Sequence, residues 1–162
     1  MAYSRMLAIL CLAAAATFAR ADDGLKRLDF LIGEWRGTSR GEPGEGTIEK
    51  SCAKMLNERF IECRTTVTYK NEVHVERSLY SYDKREKTLR LRQFHGEGFV
   101  NTYVETEPLV FVTTDIENVA AGWRARETYE KKGDAWTERF ELAQPGKEFA
   151  VYTSSALERV KE

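Results

Sequence analysis

The stretch GWRARETYEKKGDAWTERFEL, residues 122–142, folds onto itself when read as two alternating runs joined at Lys132-Gly133. That fold places Trp123 against Leu142, Ala125 against Phe140 and Tyr129 against Trp136 on one face. Arg124 against Glu141 and Thr128 against Thr137 fall on the other. Gly133 supplies the positive-φ position a tight hairpin wants, so turn chemistry and face segregation agree on two antiparallel strands. The apolar face carries one anomaly, because Glu127 comes opposite Glu138, and like charges at that spacing repel. Three arrangements would relieve it: an arginine from a neighbouring strand (Arg64, Arg77 and Arg92 are the candidates), a proton shared by the pair, or a ligand or cation held between them. A one-residue slip would move both acids into water. It would also expose Trp123, Tyr129, Trp136 and Phe140, at a larger cost.

The same alternation recurs on the N-terminal side. Short runs rich in Val, Thr, Tyr, Phe and Trp are separated by Gly, Asp, Asn or Lys-rich breaks, and no helical period is sustained beyond Gly37. About ten strands are expected, near residues 34–39, 47–56, 59–69, 73–82, 88–94, 98–105, 109–114, 122–131, 134–142 and 149–157. SRGEPGEG, residues 39–46, reads as the loop between the first two. Links this short leave no room for parallel crossovers, so the fold class is all-β: an antiparallel meander, curled into a barrel that removes its exposed edges. No repeat or interdomain linker interrupts it.

At the start of this region, DDGLKRLDFLIG (residues 22–33) spaces Leu25, Leu28, Leu31 and Ile32 as one face of a short helix ended by Gly33. In FLIGEWRG, residues 30–37, Gly33 turns the chain sharply into the first strand. Trp35 then plugs the narrow end of the barrel beneath the leucines.

Residues 1–21 read as a cleaved signal peptide: a basic start in MAYSR, a short apolar core, and Ala19-Arg20-Ala21 as the cleavage pattern. The apolar run is too short to span a bilayer, and Cys11 lies inside it, preceded by Leu10, which excludes a lipid anchor. The expected mature domain is residues 22–162, in the periplasm or outside the cell. Without Arg5 and Arg20 its formal charge is about −3 with no basic block, which excludes nucleic acid as a partner. Export also favours pairing the two remaining cysteines. Folding CAKMLNERFIEC about Asn57-Glu58 sets Cys52 directly opposite Cys63, within reach of a disulfide; the alternative is two buried thiols.

The opening Gly-x-Trp after a short helix resembles that of the lipocalin and calycin superfamily, in which a basic side chain after the last strand often covers the tryptophan. The matching residues are Gly33, Trp35 and Arg159 in SALERV. FLIGEWRG and the Tyr-Asp turn of YSYDKREK resemble more closely the ten-stranded nitrobindin-like and related bacterial barrels. Nitrobindins bind haem through a late histidine, whereas His74 and His95 precede the late strands, so the resemblance carries no cofactor over. The Arg-x-Tyr carboxylate clamp of fatty-acid-binding barrels is absent from FAVYTSSAL, residues 149–157.

His74 and His95 face each other if the hairpin between them closes on a four-residue loop, and His95 meets Val75 if it closes on five. Two histidines alone fall short of a metal site, so no metal is expected. Tyr80, Tyr82 and Tyr103 read as packing residues. The function expected is an exported carrier or sensor, whose apolar walls (Phe60, Val100, Phe111, Trp123, Tyr129, Trp136 and Phe140) bind an amphipathic small molecule, with Glu127 and Glu138 as polar groups. The alternatives are a small barrel enzyme (isomerase, cyclase or lyase) exchanging protons through Glu127 and Glu138, and a cavity-free scaffold that binds another protein on its outer face.

Overall fold

A computed structural model describes residues 24–161, and the signal peptide expected over residues 1–21 lies outside the described residues. A 3-10 helix, Leu25–Leu31, leads into ten strands: β1 Gly33–Gly41, β2 Gly44–Met55, β3 Phe60–Tyr69, β4 Val73–Asp83, β5 Thr88–His95, β6 Val100–Glu107, β7 Val110–Glu117, β8 Arg124–Lys132, β9 Ala135–Ala143 and β10 Ala150–Arg159. Each strand pairs antiparallel with its sequence neighbours. The pairing of β1 with β10 closes the sheet into a barrel. Among the described residues no helix is long and apolar enough to cross a membrane.

The helix is of the 3-10 type for a reason visible in its leucines. Leu25, Leu28 and Leu31 recur every third residue, so a helix of three residues per turn stacks all three on one buried face. They cap the barrel beside Trp35, whose indole N–H donates to the Leu31 carbonyl at 2.7 Å. The Arg159 guanidinium lies 4.3 Å from the Trp35 ring and donates to the Ile32 carbonyl at 3.0 Å. Gly33 has φ +128°, which requires glycine, and a Cβ there would fall 2.2 Å from an Arg159 guanidinium nitrogen and displace that side chain from the plug. This end of the barrel is closed.

The hairpin of β2 and β3 pairs Met55 with Phe60 and Cys52 with Cys63, as the sequence predicts, and the two cysteines form a disulfide with Cα atoms 4.1 Å apart. Three consecutive positive-φ residues, Leu56, Asn57 and Glu58, make the turn. Two expectations need correction. SRGEPGEG is mostly strand, since β1 and β2 run into it and only Glu42-Pro43 remains as turn. The hairpin of β8 and β9 turns at Gly133-Asp134, because Gly133 (φ +63°) occupies the first turn position and Lys132 pairs with Ala135. The register therefore differs by two residues from the expected one: Glu127 lies opposite Phe140, Tyr129 opposite Glu138, and Arg126 opposite Glu141. An even shift keeps every side chain on its expected face. The two glutamates thus still point inward, but they are diagonal neighbours.

Candidate functional site

Inward-facing residues divide the barrel into a packed half and an open half. Trp35, Tyr80, Phe111, Tyr129 and Trp136 fill the closed end through edge-to-face and tilted ring contacts, with the Tyr80 and Tyr129 hydroxyls 2.7 Å apart. Toward the other end, where β1 runs into β2 and β8 begins, the interior opens into a cavity of about 700 Å³. Its walls include Ile48, Val67, Ile116, Trp123, Phe140 and Leu142, and its deeper part reaches Glu127, Glu138, Glu76 and Asn101. A cavity-free scaffold is incompatible with this interior. The seam between β7 and β8 is short, with register pairs only at Val110–Val112, and Ile116 lies beyond it on the cavity side.

The polar layer between the two halves answers the anomaly of the paired acids. Lys50 of β2, almost wholly buried, reaches across the barrel to form an ion pair with Glu138. Burial pulls the Lys50 ammonium down, but the carboxylates of Glu138, Glu76 and Glu127 outweigh it and hold the group above its usual range. Glu138 is raised by burial, against the pull of Lys50. Glu127 is pushed well up, first by burial and then by the charges of Glu138 and Glu76, with Lys50 opposing more weakly. Lys50 is hydrogen-bonded to Glu138 and not to Glu127, so Glu127 is the carboxyl held further above its usual range. Gln93 donates to Glu127 Oε1 at 3.1 Å, while Glu127 Oε2 has no partner among the described residues. Thr65 Oγ1, Gln93 Oε1 and Asn101 Oδ1 are likewise buried and unpartnered around this layer, as is Trp136 Nε1 in the packed half below it.

The arginines proposed for this role stand elsewhere. Arg64 and Arg77 pair with Glu62, and Arg92 with Glu117, all on the outer surface, because their strand parity is opposite to that of the inward residues. Of the expected wall residues, Trp123, Glu127, Glu138 and Phe140 line the cavity. Phe111, Tyr129 and Trp136 belong to the packed half below it, as do Tyr80 and Tyr103. Phe60 sits in a small recess at the closed end with Leu25 and Tyr82, and Val100 lies on the strand face opposite the inward Asn101. Lys50, Glu76, Gln93 and Asn101 escaped the sequence reading. A signal for Lys50 was present: it has the same parity as the apolar Ile48 and Cys52, and all three are buried on one face of β2.

Near the mouth, His74 and Glu76 of β4 and His95 of β5 share the cavity wall. The β4–β5 hairpin closes on a four-residue loop after Asp83, one position later than considered, so His95 pairs with Glu76, not with His74 or Val75. Asp83 Oδ1 accepts the Arg85 and Glu86 amides and fixes that loop. The His74 and His95 rings still meet, with Nε2 of His74 3.4 Å from Nδ1 of His95. Burial pushes the His95 imidazole down, more than Glu76 raises it.

A ten-stranded closed antiparallel barrel with a short capping helix defines a calycin-like fold. The structure of Rv2717c from M. tuberculosis superposes with a TM-score of 0.66 at 17% identity, over 86% of this chain and 99% of that one. The S-type phycobiliprotein lyase CPES from Guillardia theta superposes with a TM-score of 0.54 at 15% identity, over 85% of this chain and 92% of that one. These likenesses are of fold. No protein-family profile and no curated protein matches the sequence.

Proposed function

We propose that the protein is an exported carrier or sensor that holds one amphipathic small molecule in the open half of its barrel. The observation that carries this reading is the cavity of about 700 Å³ with apolar upper walls ending on a buried polar layer. That volume lies within the range of about 300–1,000 Å³ usual for small-molecule sites, and the few convergent polar groups at its base are what such sites use for orientation. The unpartnered Oε2 of Glu127 and the dipole of the Lys50–Glu138 pair face the base of the cavity, so a polar group of the ligand enters first while its apolar part contacts Ile48, Val67, Phe140 and Leu142. The disulfide between Cys52 and Cys63 supports an oxidising compartment. The FLIGEWRG opening supports a place among nitrobindin-like barrels, without their late histidine.

The test is a fluorescence titration with anilinonaphthalene sulfonate. The wild-type protein is expected to give one saturable, blue-shifted site. Val67→Trp, which fills the cavity from β3, is expected to weaken it at least about tenfold. Equal binding by both proteins would place the probe on the outer surface and count against the reading.

A second reading is favoured by the unpartnered Oε2 of Glu127, a buried carboxyl held well above its usual range and therefore suited to acid–base work in the cavity. In an enzyme of this kind Glu127→Gln would retain ligand but lose turnover. In a carrier that change would leave ligand chemically unaltered and alter affinity alone.

A further inference from the structure

We propose that His74, Glu76 and His95 form a binding site for one first-row divalent metal ion, Zn²⁺ foremost, on the cavity wall just inside the mouth. The three side chains offer two imidazole nitrogens and one carboxylate oxygen that all lie within 4.8 Å of one another. Around tetrahedral Zn²⁺, with bonds of about 2.0–2.2 Å, neighbouring ligand atoms sit about 3.3–3.5 Å apart. The separation of 3.4 Å between His74 Nε2 and His95 Nδ1 already has that value. Glu76 Oε2 is 3.9 Å from His95 Nδ1, so closing that edge takes a carboxylate rotation of a few tenths of an ångström.

What distinguishes this cluster from a chance meeting of polar groups is that each ligand is held from behind. His74 Nδ1 lies 2.6 Å from Glu97 Oε1, so it donates there and its Nε2 lone pair faces the centre. Ser78 donates to Glu76 Oε1 at 2.5 Å, leaving Oε2 free toward His95. Asn101 Nδ2 lies 3.2 Å from His95 Nε2 and donates to the Tyr103 hydroxyl at 2.9 Å; ligation through His95 Nδ1 requires this amide to turn over, so that the otherwise unpartnered Oδ1 accepts the Nε2–H and the Nδ1 lone pair faces the same centre. Phe99 stacks on His95 at 4.1 Å and fixes the ring plane. Outer carboxylates and carbonyls that set tautomer and orientation are the partners metal-ligating histidines ordinarily have. The ligand set, two imidazoles with one carboxylate, suits Zn²⁺, and three protein ligands leave a coordination position open. That position faces the cavity. On the carrier reading, from which this consequence follows, the ion would take a donor atom of the bound molecule.

The test is calorimetric titration of chelator-treated protein with ZnCl₂. One ion per chain is expected. His74→Ala and His95→Ala should each weaken binding by more than about tenfold, and Glu97→Gln, which touches only the back of His74, by about 10- to 100-fold. All three variants should keep a single cooperative unfolding transition in chelator, and Zn²⁺ should raise that transition in the wild type but not in His95→Ala. Absence of Zn²⁺ binding, or stoichiometric binding that survives the double histidine replacement, would overturn the proposal. The anilinonaphthalene sulfonate titration, run in chelator, separates the two readings. Probe binding without Zn²⁺ binding rejects the metal site alone, and Zn²⁺ binding without probe binding rejects the carrier alone.

Discussion

The Lys50 ammonium and the Glu138 carboxylate, 88 residues apart in sequence, meet in the interior of the barrel, with the ammonium also 5.2 Å from the centre of the Trp136 ring. This contact joins β2 to β9 across the cavity floor. It lets a charged layer exist inside a barrel whose interior is otherwise mostly apolar.

Removing one partner should cost far more than removing both. Lys50→Met strands a buried carboxylate and is expected to lower unfolding stability by about 3–5 kcal/mol. Lys50→Met combined with Glu138→Leu is expected to recover most of that loss, as replaced buried ion pairs commonly do. Urea unfolding of the single and double variants measures the difference. A double variant as unstable as the single one would mean that the pair is not the floor's stabilising contact.

Glu127 sets a pH dependence whose direction follows from its raised pKa. An acid held above its unfolded value of about 4.3–4.5 binds its proton more tightly when folded, so its burial costs nothing below that value. The cost grows as pH rises from there toward the folded pKa. Glu127→Gln, which keeps an acceptor for Gln93, should therefore match the wild type near pH 4 and become progressively more stable than it at higher pH. Unfolding midpoints measured across pH in the presence of chelator give the slope. An advantage for the variant that shrank with rising pH would contradict the raised pKa of Glu127.

The disulfide closes a loop with a sequence separation of 11, for which chain entropy gives a stabilisation of about 2–3 kcal/mol. Replacing both cysteines by serine is expected to lower the urea midpoint accordingly. Probe binding at saturation should be unchanged, because the bridge lies toward the closed end. Lost binding in a folded variant would show that the bridge shapes the cavity.

The corked end depends on glycine at position 33. Gly33→Ala demands both a positive φ from a residue with a Cβ and space occupied by Arg159, so a loss greater than about 1 kcal/mol is expected. Adding Arg159→Ala relieves the clash but not the backbone angle, so the double variant should be more stable than additivity of the two single changes gives. A thermodynamic cycle of the four proteins decides it, and strict additivity would remove Arg159 from the plug.

The architecture was legible because alternation and turn residues agree along the chain: the strands, the Cys52–Cys63 register and Trp35 at the closed end all follow from local pattern. The hairpin at Gly133 shows where local chemistry runs short, since Lys132-Gly133 and Gly133-Asp134 are both plausible turns that preserve the same faces. The site was harder for a different reason. Lys50, Glu76, Gln93 and Asn101 are inward by parity, but periodicity cannot say which inward polar residues meet across a barrel, because curvature brings β2 to β9 and sets β4 and β5 around one centre. The arginines looked suitable by charge and failed on parity. Phe111, Tyr129 and Trp136 were rightly inward, yet only their height along the axis separates core from cavity wall, and alternation carries no height.

The central claim is that the open half of the barrel holds a small molecule, and native mass spectrometry of protein purified from its own host tests it most directly. The account predicts a retained non-peptide mass on the wild type that is lost on gentle activation and is missing from Val67→Trp. A bare polypeptide for the wild type, or the same adduct on the cavity-filled variant, would contradict it.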